Sequence, residues 1–139
     1  MTTAADIMHP GAQWIPATAT LDKAAQLMSR LNVGALPISD AAERLCGIIT
    51  DRDIVVNCVA QGLNPSEMTC GDMAQGTPRW IDAGADVSDV LDEMESHRIK
   101  RLPVIKNKKL VGIISEADLA QHLDEHQLAG FVEKVYARR

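Results

Sequence analysis

The sequence predicts an α/β protein of the α+β type, built from two β-α-β-β-α repeats packed about a pseudo-two-fold axis. Three observations carry this. Gly47-Ile48-Ile49-Thr50-Asp51-Arg52-Asp53 returns as Gly112-Ile113-Ile114-Ser115-Glu116-Ala117-Asp118, an offset of 65. Trp14 and Leu36-Pro37-Ile38 return as Trp80 and Leu102-Pro103-Val104, an offset of 66. A unit of about 60 residues is marginal alone, so two similar units gain by burying each other's sheets.

Each repeat opens on a short strand, around Trp14-Ile15-Pro16 and Trp80-Ile81-Asp82. Thr20 and Asp86 are good N-caps for the first helices. Leu21 to Leu31 places Leu21, Ala24, Ala25, Met28 and Leu31 on one helical face; Val87 to Arg98 does the same with Val87, Val90, Leu91 and Met94. Hairpins follow, Ala35 to Ile38 with Leu45 to Thr50, and Leu102 to Ile105 with Leu110 to Ser115. Asn107-Lys108 suits a tight turn, and the residue lost between the repeats falls in this hairpin connection. Pro37 and Pro103 predict edge or short strands, since proline cannot donate to a ladder. A second helix runs from Asp51 to about Gln61 and stops at Gly62. Its counterpart starts near Glu116 and continues, with a break around Gly130, to a basic end at Lys134, Arg138 and Arg139. The resulting organisation is repeat 1 over 5–62, a linker over 63–69, repeat 2 over 70–125 and a C-terminal helical extension over 126–139.

The chain has 139 residues, 46% hydrophobic and 24% charged, with a formal net charge of -5. That charge argues against sequence-independent binding to nucleic acid or to an anionic membrane surface. The N-terminal residues lack a basic region and an apolar core, and no apolar run is long enough for a membrane span, so a cytoplasmic location is expected. Three cysteines, Cys46, Cys58 and Cys70, without CxxC spacing suggest reduced packing residues rather than a zinc knuckle or a disulfide framework. Ile54, Val55, Val56, Cys58, Val59 and Ala60 form too broad an apolar surface for one stripe, and a homodimer would cover the surplus.

Two copies of strand, helix, Leu-Pro-(Ile/Val) and Gly-Ile-Ile-(Thr/Ser)-x-x-Asp resemble a tandem pair of CBS domains, the Bateman module, over residues 5 to about 125. The resemblance implies clefts between the repeats where an adenosine ligand such as AMP, ADP, ATP or S-adenosylmethionine binds. It implies that Asp53 and Asp118 hold ribose hydroxyls and that Thr50 and Ser115 sit by phosphate. It implies no required cofactor. Chemistry agrees, because a carboxylate can accept from two vicinal hydroxyls.

The competing reading of Thr50-x-x-Asp53 and Ser115-x-x-Asp118 is a helix capping box. Such boxes usually end in Glu or Gln, whose longer side chains reach back to the cap, so aspartate in both copies leans towards a ligand. His97-Arg98-Ile99-Lys100-Arg101 is either a solvated helix end or a phosphate cluster, and the first repeat offers only uncharged Gly34 and Ala35 there. Arg52 adds charge where the second motif has Ala117. The expected outcome is an asymmetric module in which the Thr50 and Asp53 cleft, faced by Lys100 or Arg101, outbinds the Ser115 and Asp118 cleft. His122 and His126, four apart, are weak metal candidates without a third donor, and no metal site is expected. Trp14 and Trp80 are adenine-flanking candidates or repeated core or interface residues. No nucleophile elbow, P-loop, GxGxxG or HExxH occurs, so the chain is read as no enzyme. The expected function is regulatory, with an unknown partner protein reading the ligand state. The alternative is an interaction scaffold with empty clefts.

Overall fold

Apolar periodicity, capping and turn chemistry set most of the elements in the computed structural model, which describes residues 2–11, 13–42, 44–74 and 78–137. In chain order these are α1 (Ala4–Ile7), β1 (His9–Pro10), β2 (Ile15–Pro16), α2 (Leu21–Leu31), β3 (Ala35–Ser39), β4 (Leu45–Thr50) and α3 (Asp51–Ile54). After a π-helical turn over Val55–Val59 come α4 (Cys70–Met73), β5 (Ile81–Asp82), α5 (Val87–Ser96), β6 (Arg101–Lys106), β7 (Lys109–Ser115), α6 (Glu116–His122) and α7 (Glu125–Val135). The fold is mixed α+β, with two repeats of the expected kind. No helix among the described residues is long and apolar enough to cross a membrane.

The chain forms two units, Gln13–Pro78 and the pair of segments Met1–Ala12 and Arg79–Arg139. In Gln13–Pro78 a three-stranded sheet of order β2-β3-β4 packs its buried Leu36, Ile38 and Ile49 against Leu21, Ala24 and Met28 of α2. In the other unit a four-stranded sheet of order β1-β7-β6-β5 packs Leu102, Val104 and Ile114 against Val90 and Met94 of α5 and Phe131 of α7.

Each repeat is closed by a short leading segment, and these segments are exchanged. In the first repeat the closing segment is the one that introduces the second. Cys70 N–H donates to Ala19 O at 2.8 Å, Gly71 N–H to Ala17 O at 2.8 Å and Leu21 N–H to Met68 O at 2.9 Å. In the second repeat the closing segment is the start of the chain. Ala4 N–H donates to Ala85 O at 2.8 Å, Ala5 N–H to Ala83 O at 3.0 Å and Val87 N–H to Thr2 O at 3.0 Å. Every residue of the second set lies 66 positions from its counterpart in the first.

Of the edge or short strand expected at Pro37 and Pro103, the edge is not found, and the strands are five and six residues long. Both β3 and β6 are interior. Their second neighbours, β2 and β5, are two residues long and pair with Ile38–Ser39 and Val104–Ile105, just past each proline, so the missing N–H meets no ladder partner there. Asn107 and Lys108 form the β6–β7 turn with φ of 52° and 66°, the doubly positive geometry of a tight hairpin.

The second helices also depart from expectation. After Ile54 the first becomes π-helical, with Ala60 N–H donating to Val55 O at 2.8 Å, and Gly62 with φ 73° ends it. In the second repeat the break falls at Leu123, where ψ is 150°, and α7 runs unbroken through Gly130. Phe131 and Val135 then anchor α7 in its own repeat's core. Arg138 and Arg139 lie outside the described residues.

Candidate ligand site

The first motif sits where β4 turns into α3. Ala35 pairs with Thr50 across the β3–β4 ladder, and Asp51 N–H donates to Gly34 O at 3.0 Å, so the strand start and the helix start lie side by side. Thr50 N–H donates to Asp53 Oδ2 at 3.0 Å, and Asp53 N–H donates to Thr50 Oγ1 at 3.1 Å. Because the Thr50 hydroxyl accepts, its proton is still available to a ligand. Asp53 Oδ1 takes no hydrogen bond among the described residues. Both residues are half-buried, and the exposed Arg52 beside them enters no ion pair among the described residues.

The second motif has the same backbone but a different hydroxyl. Ser115 N–H donates to Asp118 Oδ2 at 2.8 Å, and the Ser115 hydroxyl also donates to Oδ2, at 3.0 Å. Its proton is therefore committed. Arg101 pairs with Ser115 across the β6–β7 ladder, and its Nη1 lies 3.9 Å from Glu116 Oε1. The Tyr136 hydroxyl donates to the same Glu116 oxygen, and Lys100 Nζ stands 4.2 Å from the Tyr136 ring centroid. The Glu116 carboxylate that accepts this proton pushes the Tyr136 phenol above its ordinary pKa. The expected phosphate residues Lys100 and Arg101 thus sit beside the second motif and are already partnered there.

Both aspartates close capping boxes, and the Asp-for-Glu argument does not separate ligand from cap. Thr3 with Asp6 and Thr69 with Asp72 form the same box at α1 and α4, neither of which is a motif helix. Those carboxyls are held below the usual range by hydrogen bonds from Thr3 and Thr69, backbone first. An aspartate reaches the cap whenever the helix starts tightly. Thr69 and Asp72 leave the same oxygen and proton unused, and what distinguishes the first motif is that Asp53 is half-buried at a strand end whereas Asp72 is exposed.

His122 and His126 do not share a helical face as their spacing suggests. His122 ends α6, with Nδ1 2.9 Å from Asp118 O, and His126 lies in the first turn of α7 beyond the break. Among the described residues no three His, Cys, Asp or Glu side chains gather as a metal site. Trp14 is half-buried, whereas Trp80 is 51% exposed, so the pair are not equivalent core residues. The three cysteines are free, and burial pushes the Cys70 thiol up to about 11. An open groove of the first repeat lies along α2, by Ile15, Lys23, Leu27 and Arg30, and contains no motif residue.

Two functional candidates escaped the sequence reading. Glu116 was legible as an acidic first-turn residue matching Asp51, but its pairing with Arg101 was not. Tyr136 gave no signal, because α7 has no counterpart in the first repeat.

The CBS domain family model matches residues 4–59 and 70–125. Hypoxic response protein 1 of Mycobacterium tuberculosis is 44% identical over 135 residues, covering 97% of this chain and 94% of the relative. A crystal structure of Hypoxic Response Protein I with two coordinated zinc ions has a TM-score of 0.79 and 45% identity, covering 88% of this chain and 100% of that one. CBS domain protein PAE2072 from Pyrobaculum aerophilum, complexed with AMP, has a TM-score of 0.78 at 22% identity, covering 94% of this chain and 98% of that one. The last is a likeness of fold.

Proposed function

Since the chain belongs to the CBS-domain family, with both repeats matched and no enzymatic family indicated, we propose that it is a non-catalytic regulatory module of the cytoplasm that binds an adenosine nucleotide and passes its state to a partner protein. One observation carries the reading. At Thr50 and Asp53 a hydroxyl proton and a carboxylate oxygen are unused at a half-buried strand end, the donor and acceptor that a phosphate and a ribose require. In the first repeat Asp53 then holds the ribose and Thr50 and Arg52 face phosphate, and in the second Lys100 and Arg101 are the phosphate residues beside Ser115. Asp118 and Ser115 form the weaker half, because the serine proton is already donated.

A scaffold reading draws on the second repeat alone, where Glu116 and Tyr136 satisfy the cations. The comparison of Asp53→Ala with Asp72→Ala separates the two. Each breaks one capping box and should lower stability modestly. At 100 times its dissociation constant AMP stabilises the wild-type chain by about 2.7 kcal/mol, several degrees of melting temperature. That shift should survive Asp72→Ala and vanish in Asp53→Ala. No shift with AMP, ADP, ATP or S-adenosylmethionine on a folded chain would leave the scaffold.

The module works as a homodimer in this reading. Val55, Val56 and Val59 are 57%, 38% and 58% exposed on one short segment, an apolar patch that a second copy would cover. Sedimentation equilibrium should give a dimer for the wild type and a monomer for the Val55→Asp, Val59→Asp double variant. A wild-type monomer at micromolar concentration would end this part of the proposal.

A further inference from the structure

The last turn of α7 is held to the second repeat by a set of polar contacts that converge on the cations assigned to phosphate. Tyr136 donates to Glu116 Oε1, and Lys100 Nζ lies 4.2 Å over the Tyr136 ring. Arg101 Nη1 is 3.9 Å from the same carboxylate oxygen. Arg98 Nη1 donates to Ala137 O at 3.4 Å, and Lys134 Nζ to Glu95 Oε2 at 3.2 Å. Phe131, one turn earlier, is fully buried and fixes the rest of α7. Tyr136 itself is 47% exposed, so its side chain can leave without opening the core.

We propose that Tyr136 and Glu116 form a releasable clasp that competes with a phosphate-bearing ligand for Lys100 and Arg101. This rests on the nucleotide reading above. The clasp supplies one carboxylate and one aromatic face to the two cations, the partners a phosphate replaces. When phosphate arrives, it takes over as counter-charge to Arg101, repels Glu116, and leaves the tyrosine without its acceptor. The end of α7 is then freed, which makes it the segment through which ligand occupancy is reported. The first repeat has no such segment, so the device acts on one side of the module only.

The test measures AMP affinity by calorimetry on the full chain as wild type, Tyr136→Ala, Tyr136→Phe and Asp118→Ala, and follows the ring proton NMR signals of Tyr136, the single tyrosine of the sequence, with and without AMP. Removing Tyr136 should tighten binding by about three- to tenfold, the range of one cation–π and one ionic hydrogen bond. Tyr136→Phe keeps the ring over Lys100 and should give a smaller gain. In the wild type AMP should shift and sharpen the Tyr136 ring signals as the side chain is released. Equal affinity in wild type and both Tyr136 variants, with binding still lost in Asp118→Ala, overturns the clasp and leaves the nucleotide reading standing. No heat with any of the four chains overturns both.

Discussion

Thr50 and Ser115 occupy equivalent caps, and the finest difference between the repeats is that the Ser115 hydroxyl also donates to its aspartate. Thr50 accepts from Asp53 N–H, and Ser115 also donates to Asp118 Oδ2. The capping motif itself was legible in the sequence, because its three-residue spacing is all that the helix start requires. Which hydroxyl retains its proton was not, since it depends on the distance between two side chains. The aspartates of the non-motif helices set an acid limit. Asp72 and Asp6 are held below the ordinary 3.8 by threonine hydrogen bonds, and Asp86 by those of Ser88. A carboxyl depressed in the folded state stabilises above its unfolded pKa and loses that contribution as pH falls through the folded value. Urea midpoints should therefore hold steady at pH 5 to 7 and fall below about pH 4, less steeply in Asp72→Ala. Cys70, with its thiol near 11 and no exposed surface, should resist a thiol-specific disulfide reagent at pH 8 until the chain unfolds. Prompt reaction in the native state would assign it a redox role instead.

At the scale of elements, the glycine that opens each motif is explained by what crosses it. A Cβ at Gly112 would stand 2.5 Å from Met8 Sδ and 2.7 Å from His9 O, where β1 pairs with β7. At Gly47 the nearest atom is Ala74 Cβ at 3.0 Å. Gly112→Ala should cost about 1–3 kcal/mol in chemical denaturation, the range of overpacking against backbone, and Gly47→Ala less. The α5 helix ends with Arg98 in the left-handed region at φ 51°, the position taken in α2 by Asn32 at φ 55°. Arg98→Gly should relieve about 1 kcal/mol of backbone strain, and a lower melting temperature would show that its bond to Ala137 O outweighs the strain. The helices α2 and α5, both hairpins and the Asn107-Lys108 turn followed from periodicity and turn chemistry. The interior placement of Pro37 and Pro103 did not, because it depends on how short β2 and β5 are. Nor did the π-helical turn after Ile54, because the strand of apolar residues over Ile54 to Ala60 fits an α-helix as well.

At the scale of the whole chain, α7 is part of the second repeat's core. Phe131 is the largest fully buried side chain, and Phe131→Ala should cost about 3–5 kcal/mol, read as a lowered denaturation midpoint. The repeat organisation was visible from two offsets in the sequence. The exchange of leading segments was not, because Thr3-Ala4-Ala5-Asp6 and Thr69-Cys70-Gly71-Asp72 carry no mark of which repeat they join. That exchange imposes a schedule on synthesis. Residues 2–11 leave the ribosome before the middle of the chain, but their partners, Ala83, Ala85 and the β7 strand, are made more than 70 residues later. The middle of the chain, 13–78, holds its own closing segment and can assemble as it emerges. These units are thus completed from the inside outwards, and residues 2–11 must wait, unpaired and open to chaperones and proteases, until β7, the last strand among the described residues, has been made.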